Sequence, residues 1–195
     1  MSYRGKIAVI TGSPTRPSRT AGLANFVSQR LADQGFALQH IHLRSLPAEA
    51  LLHARFDDPA IKEATALVEG AHGVIVASPV YKAAYSGLLK TFLDLLPQFA
   101  LRGKVVLPLL TGGTTAHVLA LDYALRPVLQ SLDPRLIVAG LFVLDKAITL
   151  SGDNVEIETE LLPRLELVTR TFVEAFALPE PLQGKLDARS APASV

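Results

Sequence analysis

Four near-continuous runs of Val, Ile and Leu, separated by helical patterns, restrict this chain to few folds. They are Lys6–Thr11 (KIAVIT), Gly73–Ser78 (GVIVAS), Lys104–Leu110 (KVVLPLL) and Leu136–Val143 (LIVAGLFV). Apolar residues on both sides of a strand mark a parallel sheet covered on both faces. A fifth run, Ala37–Leu43 (ALQHIHL), alternates more, as an edge strand does. Pro108 takes one donor out of its ladder and predicts local irregularity or an exposed N–H side. Between the runs, Ala21–Gln34 sets Leu23, Phe26, Val27 and Leu31 on one stripe, with Gly35 as its stop. Pro59–Glu69 has Asp58 as its N-cap candidate and Pro59 in the first helical position. Ser86–Leu96, Thr115–Leu132 and Glu158–Ala177 supply three more helices. Strand and helix alternate throughout, so the expected class is α/β, a three-layer sandwich around a parallel sheet. No repeat or linker divides the chain, and residues 1–178 are expected as one domain. Residues 179–195, rich in Pro, Ala, Ser and charge without apolar period, are expected as a mobile tail.

Composition narrows the function classes. Nineteen basic against eighteen acidic residues give a net charge of +1, so neither a nucleic-acid nor a membrane-surface footprint is expected. The absence of cysteine excludes disulfides, thiolate metal sites, iron–sulfur clusters and a cysteine nucleophile, and no metal site is expected. No apolar run reaches the roughly 18 residues of a membrane span, and the start, Met1-Ser-Tyr-Arg-Gly-Lys, has no signal-peptide profile. The expectation is a soluble cytoplasmic domain.

In a doubly wound sheet, ligands bind beyond the carboxyl ends of the strands. Three loops leave those ends. Gly12-Ser-Pro-Thr-Arg-Pro-Ser-Arg-Thr20 offers the hydroxyls of Ser13, Thr15, Ser18 and Thr20, the guanidiniums of Arg16 and Arg19, and the free N–H groups of a helix start. That donor set suits a phosphate monoester; the same residues also make an ordinary helix cap. It is neither a P-loop nor a GxGxxG turn. Ser78-Pro-Val-Tyr-Lys-Ala-Ala-Tyr-Ser-Gly87 can turn backbone N–H groups and an aromatic toward a flat ligand, or leave Tyr81 and Tyr85 as surface aromatics. Thr111-Gly-Gly-Thr-Thr-Ala-His117 allows close backbone approach through Gly112 and Gly113 and capping by Thr114. Together the loops describe a pocket for one phosphate and a planar ring with polar edges. Flavin mononucleotide (FMN) fits that description.

The combination Gly12-Ser-Pro…Ser18, Ser78-Pro-Val-Tyr-Lys-Ala-Ala-Tyr-Ser-Gly-Leu-Leu-Lys90 and Leu110-Thr-Gly-Gly-Thr…His117 resembles the NADPH-dependent FMN reductase family over about residues 6–177. Lys104-Val-Val-Leu-Pro-Leu and Leu119-Ala-Leu-Asp-Tyr-Ala-Leu-Arg-Pro-Val128 are similar to the reductases of two-component alkanesulfonate monooxygenase systems. The resemblance implies a flavodoxin-like sandwich with a five-stranded parallel sheet of order 2-1-3-4-5. It implies reduction of FMN by NADPH, with NADH as the alternative donor, and delivery of reduced flavin to a sulfonate-cleaving monooxygenase. Carried over by motif, Ser13, Ser18 and Thr20, with Arg16 or Arg19, hold the phosphate. Pro79, Val80, Tyr81, Lys82 and Ser86 line the isoalloxazine, with Thr111, Gly112, Gly113 and Thr114 along its other edge.

Pro127 falls inside the fourth helical pattern, where it removes a main-chain bond and crowds the preceding turn. A one-residue bulge near Asp122–Arg126 would relieve the clash; a plain kink with Tyr123 in the core is the alternative. The resemblance implies a π-helix at a tetramer interface carrying Tyr123, with His117 nearby, linked to flavin that leaves as product.

Hydride transfer between nicotinamide and flavin needs no protein nucleophile, so no catalytic side chain is expected. The protein must stack the two rings and stabilise charge at the flavin N1–C2 edge. A 2′-phosphate on the donor needs a cation, for which Arg16, Arg19 and Lys82 are candidates. Two other flavoproteins share the fold: an FMN-retaining quinone or azo reductase, and a flavodoxin-type electron carrier, a class whose usual acidity the charge of +1 counts against.

Overall fold

A computed structural model describes residues 4–152 and 154–177; the tail expected at 179–195 lies outside them. Strand β1 is Lys6–Thr11, β2 Ala37–His42, β3 Gly73–Tyr81 and β5 Val105–Gly112, with the short β4, Ala84–Tyr85, following β3. The fifth expected strand is present in two pieces, β6 (Leu136–Ile137) and β7 (Leu141–Leu144). The sheet runs β2-β1-β3-β5-β6, with β7 continuing beside the later half of β5, and all these pairs are parallel. Chain positions give the expected order, in the α/β flavodoxin-like class.

Strand periodicity divides the core in two. Ala8, Ile10, Val74, Val76, Val106 and Leu110 face one layer, formed by α2 (Ala48–Leu52), α3 (Pro59–Glu69), α4 (Gly87–Leu93) and α5 (Arg126–Gln130). Ile7, Val9, Ile75, Ala77, Leu107 and Leu109 face the other, formed by α1 (Arg19–Asp33) and α6 (Leu162–Ala175). Each central strand is buried on both faces, which is why its sequence runs apolar without alternation. Asp58 caps α3 by accepting from the Ala60 and Ile61 N–H groups, with Pro59 in the first turn.

Pro108 explains the break in the last strand. Val138 N–H donates to Val106 O, so residues of that parity on β5 address the β6–β7 edge. Two positions on, Pro108 has no N–H to offer, and Val138-Ala139-Gly140 leaves the ladder there. Gly140 lies so close that an added Cβ would sit 2.3 Å from Pro108 O. The expected continuous strand Leu136–Val143 is thereby corrected. Arg126 covers the gap, donating to Ile137 O (3.2 Å) and Val138 O (3.4 Å).

The single helix expected over Thr115–Leu132 is also corrected. A 3-10 turn at Thr115–His117 leads to a π-helix, Leu121–Leu125, and then α5. Arg126 N–H donates to Leu121 O five residues back, which widens the turn ahead of Pro127. Tyr123 on this turn is 80% exposed, not packed in the core. Strand β3 runs three residues beyond the expected Ser78, and α4 ends at Leu93 instead of Leu96. An unexpected hairpin, β8 (Ile148–Ser151) with β9 (Asn154–Ile157), packs on α1, where Gly22 gives Leu150 and Val155 room. Among the described residues no helix is long and apolar enough to cross a membrane.

Candidate functional site

The ends of β1, β3 and β5 meet at one cavity of about 460 Å³. Its first wall is the start of α1. Ser18 is the N-cap, its Oγ accepting from Ala21 N–H at 3.1 Å, and the first turn carries no acidic residue. The N–H groups ahead of Ala21 have no helical acceptor of their own, and the helix dipole puts positive potential there. Ser13, Thr15, Ser18, Arg19 and Thr20 all line the cavity at this end. This donor-rich, carboxylate-free wall suits a phosphate monoester.

The second wall is Pro79, Val80 and Tyr81, at the end of β3. Beyond Tyr81 the chain reverses through Lys82 and Ala83, at φ of +50° and +64°, to pair with β4. Side chains at positive φ are costly, about 1–2 kcal/mol per residue, so packing must hold this two-residue turn. Strand β4 lies against the π-helix. Burial pushes the Tyr85 phenol above its ordinary range, Lys90 partly offsetting it.

Thr111 closes the site from β5. Its hydroxyl meets that of Thr20 at 2.7 Å in a buried contact. A second buried tie is Ser86, whose Oγ donates to Gly12 O (2.6 Å) and accepts from Leu89 N–H (3.1 Å), while Ser78 Oγ accepts from the Ser86 N–H (2.9 Å). Gly12 permits this approach, since a Cβ there would lie 2.8 Å from Leu89 Cβ.

Several residues expected at the ligand stand elsewhere. Ser86 is buried and its hydroxyl fully used, so it fixes two loops together without lining the cavity. Gly112 packs against Phe142, and Thr114 caps the 3-10 turn by accepting from Ala116 N–H. Lys82, Gly113 and Arg16 are exposed, and none of the three borders the cavity. Arg19 does, but its Nε donates to Ile148 O (3.1 Å) and ties α1 to the β8–β9 hairpin. His117 lies on the 3-10 turn before the π-helix, outside the cavity.

Sequence reasoning missed the other bank: Asp145, Lys146, Ile148, Thr149 and Leu150. The turn-forming Ser151-Gly-Asp-Asn154 between two short alternating runs was the signal available for that hairpin. It also missed the end of β2. Thr11 Oγ1 and His42 Nδ1 lie 2.8 Å apart, and Arg44 donates to Thr15 O at 3.3 Å, bracing the first loop from outside. Burial, then Arg44 and Arg16, hold the His42 imidazole below its ordinary value; burial and His42 do the same for His40.

Comparison with known proteins agrees with this geometry. Residues 5–149 match the family described as NADPH-dependent FMN reductase. The chain is 46% identical to an FMN reductase (NADPH) of Escherichia coli (strain K12), over 87% of this chain and 89% of that one. It is 48% identical to an FMN reductase (NADPH) of Pseudomonas putida, over 73% and 72%. The crystal structure of an NADH:FMN oxidoreductase in its apo form superposes with a TM-score of 0.81 at 42% identity, covering 92% of each chain.

Proposed function

The chain belongs to the NADPH-dependent FMN reductase family, and from that premise we propose that it takes hydride from NADPH to reduce FMN and releases the reduced flavin to a monooxygenase. The observation that carries this reading is one cavity joining a hydroxyl-rich helix start to a Pro-Val-Tyr strand end. FMN, when bound, supplies the hydride-accepting ring. Ser13, Ser18 and Thr20, with the first N–H groups of α1, would hold its phosphate. Pro79, Val80 and Tyr81 would flank the ring, and Thr111, fixed by Thr20, would hold its edge. These residues bind and orient, so that reacting atoms meet in near-attack contact without a protein nucleophile.

The finer reading follows the resemblance. Residues 1–178 act as one cytoplasmic domain, and the recipient cleaves alkanesulfonates. Flavin passes through as a substrate. The exposed Val118, Leu119 and Tyr123 on and before the π-helix form the contact of a homotetramer. The test is steady-state NADPH oxidation by dialysed, colourless protein. Turnover should depend on added FMN and saturate with it. Yellow colour surviving dialysis would identify a prosthetic-group reductase of quinones or azo compounds instead, and no turnover would identify an electron carrier.

A further inference from the structure

Three nitrogen-rich side chains, those of His42, Arg44 and Arg16, stand near the carboxyl end of β2, on the outer side of the phosphate loop. Arg44 donates from one terminal nitrogen to Thr15 O (3.3 Å), while its Nε is buried with no hydrogen-bond partner. Arg16 is exposed and does not line the flavin cavity, although Thr15 and Pro17 on either side of it do, and it lies within electrostatic reach of Arg44 and His42. Neither arginine is among the ion pairs formed by the described residues. Two guanidiniums within electrostatic reach of each other and without a carboxylate partner repel, and an anion bound by both removes that cost.

A second depression, of about 560 Å³, begins at the same place. It follows the groove between α1 and the edge strand and is lined by Asn25, Ser28 and Gln29 on one side, His40 and His42 on the other. The two imidazoles are stacked, with centroids 5.9 Å apart. Ser28, almost completely buried, has a hydroxyl with no partner. A flat imidazole pair, amide donors and acceptors and an unused hydroxyl suit a purine. His42 lines the groove and stands two residues before Arg44, so the groove begins beside that guanidinium.

We propose that this region binds the adenosine 2′-phosphate half of NADPH, with Arg16 and Arg44 on the 2′-phosphate and the His40–His42 groove on the adenine. Of the cations that the sequence offered for that phosphate, Arg19 is engaged with Ile148 O and Lys82 stands at the far hairpin, beyond Tyr81. Arg44, which no sequence motif marked, becomes the positioning and discriminating residue. The inference rests on NADPH being the hydride donor.

The test uses flavin-free protein and two probes in calorimetry, adenosine 2′,5′-bisphosphate and adenosine 5′-monophosphate. The bisphosphate should bind at least tenfold more tightly, and Arg44→Gln and Arg16→Ala should each remove most of that difference. In steady state, Arg44→Gln should raise the KM for NADPH about tenfold with far less change for NADH. Equal binding of the two nucleotides overturns the inference. So does a rise in the FMN dissociation constant of Arg44→Gln as large as the loss of bisphosphate affinity, which would give the cluster to the flavin phosphate. Loss of all NADPH-driven FMN reduction in the unaltered protein would sink the donor reading itself, a separate result.

Discussion

Thr20 and Thr111 stand 91 positions apart, yet their hydroxyls share a buried hydrogen bond at the centre of the candidate site. Thr111→Val leaves Thr20 Oγ1 buried and unpaired, a loss of about 1–3 kcal/mol. Urea denaturation should show it, together with a higher FMN dissociation constant. Ser18 tests the phosphate end. Ser18→Ala removes an N-cap, about 1 kcal/mol of stability, whereas Ser18→Glu should also weaken FMN binding at least tenfold through like-charge repulsion. A flavin titration in which Glu and Ala behave alike would remove the loop from the site. His40 and His42 give a pH dependence. Both folded pKa values lie below the ordinary 6.5, chiefly from burial. Above that value both states are neutral and stability is complete. Below it the unfolded chain takes up protons first, so stability falls as pH drops through the folded values. His42→Gln should flatten that acid limb in melts between pH 7 and 5.

At the level of elements, two departures from regular structure are neighbours. Arg126 closes the π-helix by donating to Leu121 O, pairs with Asp122 at 3.0 Å, and reaches the carbonyls freed where β6 and β7 separate. Both irregularities arise from prolines, Pro127 in one and Pro108 in the other. Gly140→Ala should cost about 3 kcal/mol or more, because its Cβ would overlap Pro108 O; a thermal melt unchanged from the parent would contradict that packing. Deleting Tyr123 takes the extra residue out of the wide turn and should restore α-helical spacing across residues 121–126. On the reading of flavin as substrate, that protein should stay yellow after dialysis and turn over slowly. Strand β4, packed on this helix and joined to Tyr81 by the Lys82–Ala83 turn, is the direct physical connection to the ring wall.

The whole molecule leaves Val118, Leu119 and Tyr123 exposed on one segment, an apolar cluster of the kind that a subunit contact covers. If the proposed homotetramer uses this cluster, Leu119→Asp should lower the mass seen in sedimentation below that of the parental protein, with far-UV dichroism retained. A variant with parental mass would place the contact elsewhere.

Periodicity and turn chemistry in the chain alone gave the layers, the parallel sheet and the three candidate loops, because each segment expresses those features without its neighbours. The strand order came only through the family resemblance and is a matter of tertiary pairing. KIAVIT matches β1 residue for residue, and Asp58-Pro59 opens α3 as its chemistry demands. Pro127 also marked a break in its helix, a bulge or a kink, and the structure resolves it as the π-helix Leu121–Leu125. What each loop residue does was decided only by tertiary structure. Ser86 became a buried tie instead of a wall, Arg19 was drawn to a hairpin more than a hundred residues away, and Arg44 was brought against Thr15. Such roles depend on which distant donor or acceptor competes for a side chain, and local sequence holds no record of that competition.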